Sequence, residues 1–115
     1  MILIAALLPA PALAAELWCM PDTLCGPLGK CKATTDEETS LRIENLKAPK
    51  TTMRAHAETI LMTRTKAGTA VEWRGTSENG GTEYVIWSKT TNAFTYTQMH
   101  QNGDIRKASG TCEVQ

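Results

Sequence analysis

From about residue 32 onward, polar and apolar side chains alternate with a period of two, and glycine or asparagine breaks the alternation about every ten residues. That combination predicts an antiparallel sheet built from consecutive hairpins. The clearest hairpin joins 69–76 to 82–89 through Glu78-Asn79-Gly80-Gly81, where Asn and Gly accept the positive φ of a tight turn. Another turn at Asn102-Gly103 joins 93–101 to 104–113. Thr91-Asn92 marks a third turn, and Lys66-Ala67-Gly68 separates 58–65 from the strand that follows. Upstream, Met53, Ala55 and Ala57 alternate with Arg54, His56 and Glu58, which predicts a further strand after Pro49. In 39–47, Leu41 and Ile43 alternate like a strand, although Thr35 and Glu38 match a helix capping box; a strand is the expectation.

The same period assigns faces. Val71 and Trp73 point one way and Glu72 and Arg74 the other, while Phe94, Tyr96 and Gln98 oppose Thr95, Thr97 and Met99. In 83–89 both faces carry apolar groups, Tyr84 and Ile86 against Val85 and Trp87, which predicts a strand that is central or covered on both sides. About six or seven strands joined by short connections imply an all-β meander, forming a small barrel or a sandwich.

Residues 1–15, MILIAALLPAPALAA, form an apolar run broken by Pro9 and Pro11, and Ala12-Leu13-Ala14 fits a signal-peptidase site. A signal peptide over 1–15 and a single domain over 16–115 are therefore expected. The basic start usual in such leaders is missing, since no Lys or Arg precedes Lys30, which suggests a truncated or misassigned start. The run is too short for a bilayer span of ~20 residues, and Glu16-Leu17-Trp18 before Cys19 lacks the small residues of a lipoprotein site.

The four cysteines, Cys19, Cys25, Cys31 and Cys112, follow this leader in even number and read as a framework of two disulfides. Cys25–Cys31 with Cys19–Cys112 is favoured, because Gly26-Pro27 and Gly29 reverse the chain within a short loop. Chain-entropy estimates give ~2.4 kcal/mol for the short loop and ~4.7 kcal/mol for the long one. The rival pairing, Cys19–Cys25 with Cys31–Cys112, closes loops of nearly the same sizes, so geometry must decide. Zinc is disfavoured because no short CxxC knuckle is present, and no cofactor is implied.

Lys plus Arg and Asp plus Glu each number 12, so no net field draws the chain to nucleic acid or to an anionic surface. Catalytic motifs of the GxSxG, HExxH, P-loop and GxGxxG types are absent. His56 and His100 are the candidates for a base near neutral pH, but each falls where an alternating strand ordinarily places a polar residue. Asp36-Glu37-Glu38 reads as a solvated acidic loop without the oxygen spacing of a calcium site. Trp73, Tyr84, Trp87 and Tyr96 are the candidate binding residues, with core packing as their ordinary fate.

Trp18-Cys19, then Cys25 and Cys31, a Thr-rich alternating body and a closing Gly110-x-Cys112 resemble a group of uncharacterised small exported alphaproteobacterial proteins. Here Trp18 directly abuts Cys19, without the intervening residue usual in that group. The resemblance implies an exported β domain and imports no activity. A weaker likeness, of class alone, is to the periplasmic β-barrel inhibitors of lysozyme, whose Ser-Gly-x-x-Tyr motif this chain lacks. The expected function is a non-catalytic binding module of the cell envelope, of protein-binding or inhibitor type. The alternative is a barrel that carries a small apolar ligand, and an enzyme using His56 or His100 ranks third.

Overall fold

The computed structural model describes residues 15–35, 39–55 and 58–115. Nine strands follow one another: β1 (Leu17–Cys25), β2 (Cys31–Ala33), β3 (Leu41–Ile43), β4 (Lys50–Ala55), β5 (Glu58–Ala67), β6 (Ala70–Thr76), β7 (Thr82–Ser88), β8 (Ala93–Met99) and β9 (Ile105–Val114). From β3 to β9 each strand pairs antiparallel with the next, as a meander requires. β1 then lies between the two ends of that meander. Leu17, Trp18 and Cys19 pair with Ile43, Arg42 and Leu41 on one edge, and the whole of β1 pairs with β9 on the other. Eight strands thereby close into a barrel, which resolves the choice between barrel and sandwich. β2 stands outside the circuit, pairing with Thr23–Cys25 where β3 has already ended.

A barrel of eight strands is just wide enough to be filled by inward side chains. Leu17, Ile43, Met53, Met62, Trp73 and Val85 are fully buried there, alternating along their strands with residues that face solvent. The expected opposition of Val71 and Trp73 to Glu72 and Arg74 holds, as does that of Phe94 and Tyr96 to Thr95 and Thr97. Of the two expectations for β7, a central place holds, between β6 and β8, and cover on both faces is corrected. Val85 and Trp87 are buried, whereas Tyr84 and Ile86 lie half-buried on the outer wall. Cover there is lateral: the Tyr84 hydroxyl donates to the Glu72 carboxylate, and the Arg74 guanidinium lies 4.9 Å from the centre of the Tyr84 ring.

The strand count exceeds the expected one because the cysteine-rich segment is itself extended. Leu17, Cys19 and Pro21 alternate inward against Trp18 and Met20. Pro21, which has no N–H to give, sits at a register shift between Pro21 and Thr23, the kind of site where a sheet tolerates proline. β5 continues to Ala67, two residues past the expected strand end at 65 and into the expected turn, while β3 keeps only three residues of the expected 39–47 strand. The favoured disulfide pairing is the one formed, Cys19–Cys112 and Cys25–Cys31. In each case the two cysteines face one another across paired strands.

Gly110 shows how tightly the closing seam is drawn. It pairs with Pro21, and a Cβ there would meet the Met20 carbonyl oxygen and come within 2.9 Å of the Pro21 Cα and the Asp22 nitrogen. These are backbone atoms that cannot rotate away. Gly110→Ala is therefore expected to cost about 1–3 kcal/mol, the range for overpacking a close contact. Urea denaturation checks this, and an unchanged midpoint would show that the seam has room.

Candidate functional site

One end of the barrel carries the β1–β2 hairpin together with the turns 77–81 and 100–104. The hairpin loop, Cys25-Gly26-Pro27-Leu28-Gly29-Lys30-Cys31, is held in three ways. The Gly26 N–H donates to the Lys30 carbonyl at 2.9 Å, and the Gly29 N–H donates to the Gly26 carbonyl at 3.0 Å. The Cys25–Cys31 bond closes its base. Gly29 adopts φ +76°, a conformation open to glycine at little cost. This leaves Leu28 86% exposed at the tip, a large apolar side chain presented by a pinned loop.

Between the hairpin and β9 lies an open cleft of about 510 Å³. Strand register places its residues in two rows. Lys32, Leu24, Ala108 and Tyr96 follow one another across β2, β1, β9 and β8, and Arg106 and Gln98 pair in the next row toward the opening. Lys30 and Lys107 complete a rim of four cations, and among the described residues no carboxylate lines the cleft. Elsewhere three cations are paired: Arg42 with Glu16 at 3.8 Å, Arg54 with Glu44 at 3.3 Å and Lys66 with Glu72 at 3.7 Å. Among the described residues, the four rim side chains make no ion pair of this kind. The acidic stretch Asp36-Glu37-Glu38 lies outside the described residues.

Behind the floor sits Glu83, only 2% exposed. Its carboxylate accepts hydrogen bonds from the Tyr96 hydroxyl and, at 3.3 Å, from the Gln98 amide. Burial raises the Glu83 pKa, against the opposing pull of those two donors. Tyr96 is raised well beyond the ordinary phenol range, first by burial and then by the carboxylate it serves. Tyr84 on the outer wall is raised chiefly by its hydrogen bond to Glu72.

The upward shift of Glu83 fixes the sign of a pH effect. Above the unfolded carboxylate value the folded state holds the proton more tightly than the unfolded chain, so Glu83 lowers stability as pH rises toward its folded pKa. Glu83→Gln cannot titrate. Its stability should therefore gain on wild type as pH climbs from about 4, then level off once the wild-type carboxyl has ionised. Parallel urea titrations across pH check this, and a constant difference between the proteins would remove the buried-acid assignment.

The four aromatic candidates do not share one face. Trp73, Trp87 and Tyr96 are buried inside the barrel, and Tyr84 lies outside. The indole N–H groups of Trp73 and Trp87 find no acceptor among the described residues. His100 begins the β8–β9 turn, its backbone N–H donating to the Asp104 carbonyl at 2.8 Å, and its Nε2 is buried without a partner among the described residues. His56 lies outside the described residues. Among those described, no cluster of His, Cys, Asp and Glu is placed to hold a metal ion, and no helix is long and apolar enough to cross a membrane.

Sequence reasoning missed Leu28, Glu83 and the basic rim. Glu83 had a legible signal, since it shares the inward parity of Val85 and Trp87, where a carboxylate is out of place. The rim had none, because its members come from 30–32 and 106–107. Scanned against protein families, curated proteins and solved structures, the chain matches none of them.

Proposed function

We propose that this protein is a non-catalytic, exported binding module of the cell envelope, and that it engages a partner protein through the β1–β2 hairpin. The observation that carries this reading is Leu28, held 86% exposed on a loop closed by a disulfide. A pinned loop has already lost the conformational freedom that binding would otherwise remove, so an apolar tip gains most of its burial energy on contact. Two disulfides fit an oxidising compartment, in keeping with the leader-like start of the chain. The inhibitor class to which the sequence bears its weaker likeness combines the same features of size, export and a cross-linked barrel.

An apolar-ligand carrier would need space along the barrel axis. Trp73, Met53, Met62 and Val85 occupy that axis here, which favours the hairpin over the interior. A base at His100 would need a carboxylate in hydrogen-bond contact; its Nε2 makes no hydrogen bond among the described residues, although the Glu83 carboxylate lies close enough to feel its charge.

Site-specific photocrosslinking in the envelope tests the proposal. A photoreactive residue at position 28 should give one discrete protein adduct. The same residue at position 61, where Leu61 is 63% exposed on the barrel wall, should give none. With the captured partner purified, Leu28→Asp should weaken binding about tenfold to a hundredfold, the value of one buried leucine. Equal adducts from both positions, or unchanged affinity in Leu28→Asp, would sink the hairpin reading.

A further inference from the structure

The cleft beside the hairpin has a chemistry of its own. The chain as a whole is neutral, with 12 cations and 12 anions, so the gathering of Lys30, Lys32, Arg106 and Lys107 around one concavity is segregation of charge and not general basicity. Like charges at close range repel, and a fold that is indifferent to them ordinarily intersperses carboxylates. Here the carboxylate in the neighbouring row, Glu83, is turned inward and engaged by Tyr96 and Gln98, leaving the cationic rim facing the opening. Between the rim groups the floor is apolar. Leu24 packs against the core, Ala108 is buried beside it, and the Cys25–Cys31 bridge adds a sulfur wall.

We infer that this cleft binds an organic oxyanion, a phosphate or carboxylate group carried on a small carbon skeleton. Arg106 and Lys32 would engage the charge while Leu24, Ala108 and the Tyr96 ring receive the skeleton. Arg106 supplies a planar fork suited to two oxygens, and the lysines supply point charges that follow the group from either side. The volume of about 510 Å³ lies within the range of small-ligand sites. The inference goes beyond the hairpin reading and stands without it, since a chain whose Leu28 met no protein would still carry the cleft.

The experiment is an amide chemical-shift titration of the oxidised protein with phenyl phosphate and with inorganic phosphate, alongside sedimentation with phosphatidylglycerol and phosphatidylcholine vesicles. Saturable shifts with phenyl phosphate are expected at Lys30–Lys32, Gln98 and Arg106–Ala108, tighter than those with inorganic phosphate and weakened by added salt. Arg106→Glu with Lys107→Glu should weaken binding more than tenfold, and Lys32→Gln should weaken it in the same direction. Lys50→Glu, on a strand end away from the cleft, should leave it unchanged. Circular dichroism and the intact mass of the oxidised variants confirm that they fold.

Phenyl phosphate binding without vesicle binding identifies a free ligand. Binding confined to phosphatidylglycerol vesicles, and lost in the Arg106→Glu, Lys107→Glu protein, identifies a lipid head group as the source of the same chemistry. Shifts spread over Lys47, Lys66 and Lys89, equal response to both phosphates, or binding that survives the charge reversals would each overturn the inference. A failed crosslink at position 28 leaves this outcome untouched, so the two readings fail separately.

Discussion

Replacing Cys19 and Cys112 together by alanine is expected to remove about 4–5 kcal/mol of stability from the oxidised protein, the chain-entropy value for so long a loop. The bond spans 93 residues and joins the first barrel strand to the last. It also lies at the seam where β1 slots between β3 and β9, and both cysteines are inside the core, at 0% and 3% exposure. Alanine is the better replacement because two serines would bury hydroxyls without assured partners. A domain of about this size holds only some 5–15 kcal/mol in total, so the loss would consume much of its margin. The matching change at Cys25 and Cys31 opens a loop of separation 6 and should cost about 2–2.5 kcal/mol, confined to the hairpin. Urea denaturation of the two double variants decides the matter. Equal losses would mean that loop length is not what the long bridge contributes.

The contrast between the two bridges also marks how much of the fold can be read from the residues. Turns with local chemistry are legible, since Asn79 accepts from the Ser77 hydroxyl at 2.6 Å and from the Gly81 N–H at 3.2 Å, as an Asn-Gly turn implies. The glycine before the last cysteine has a local reason of the same kind: a glycine inside a strand marks where another backbone can approach closely, and at Gly110 β1 does so. Pairing of the strand at Cys112 with the segment at Cys19 covers an edge that would otherwise stand open. What stayed hidden depends on distant parts of the chain. Closure into a barrel needs β1 to fit between β3 and β9, and no local pattern encodes that fit. In the cysteine-rich segment Pro21, Gly26 and Pro27 mask the alternation, although Leu17, Cys19 and Pro21 keep it.

The candidate site was less legible than the fold, and for a physical reason. Its parts are brought together only by pairing of β1 with both β2 and β9, so Lys32 and Arg106 meet across 74 residues of chain. Net charge, being a sum, hides such segregation. Tyr96 was named as a binding residue from its type. The register instead shows it serving two tasks, with its ring under the cleft and its hydroxyl engaging Glu83.

Truncating Trp73 to alanine is expected to cost about 3–5 kcal/mol, as for other large aromatic side chains removed from a core. Trp73 is fully buried and stands in the same cross-strand row as Val85, Tyr96, Ala108 and Leu24, so its ring supports the residues that run on beneath the cleft. The void would lie at the centre of a closed cylinder whose hydrogen-bonded wall cannot collapse inward, which places the expected cost toward the upper end of that range. A second substitution separates bulk from polarity. The Trp73 indole N–H has no acceptor among the described residues, so Trp73→Phe removes an unsatisfied donor while keeping most of the volume. It should cost well under half of what alanine costs. Thermal and urea denaturation of both variants provide the check. If phenylalanine proved as damaging as alanine, the N–H would have to be satisfied by a buried water; if alanine left the midpoint unchanged, the indole could not be the centre of this core.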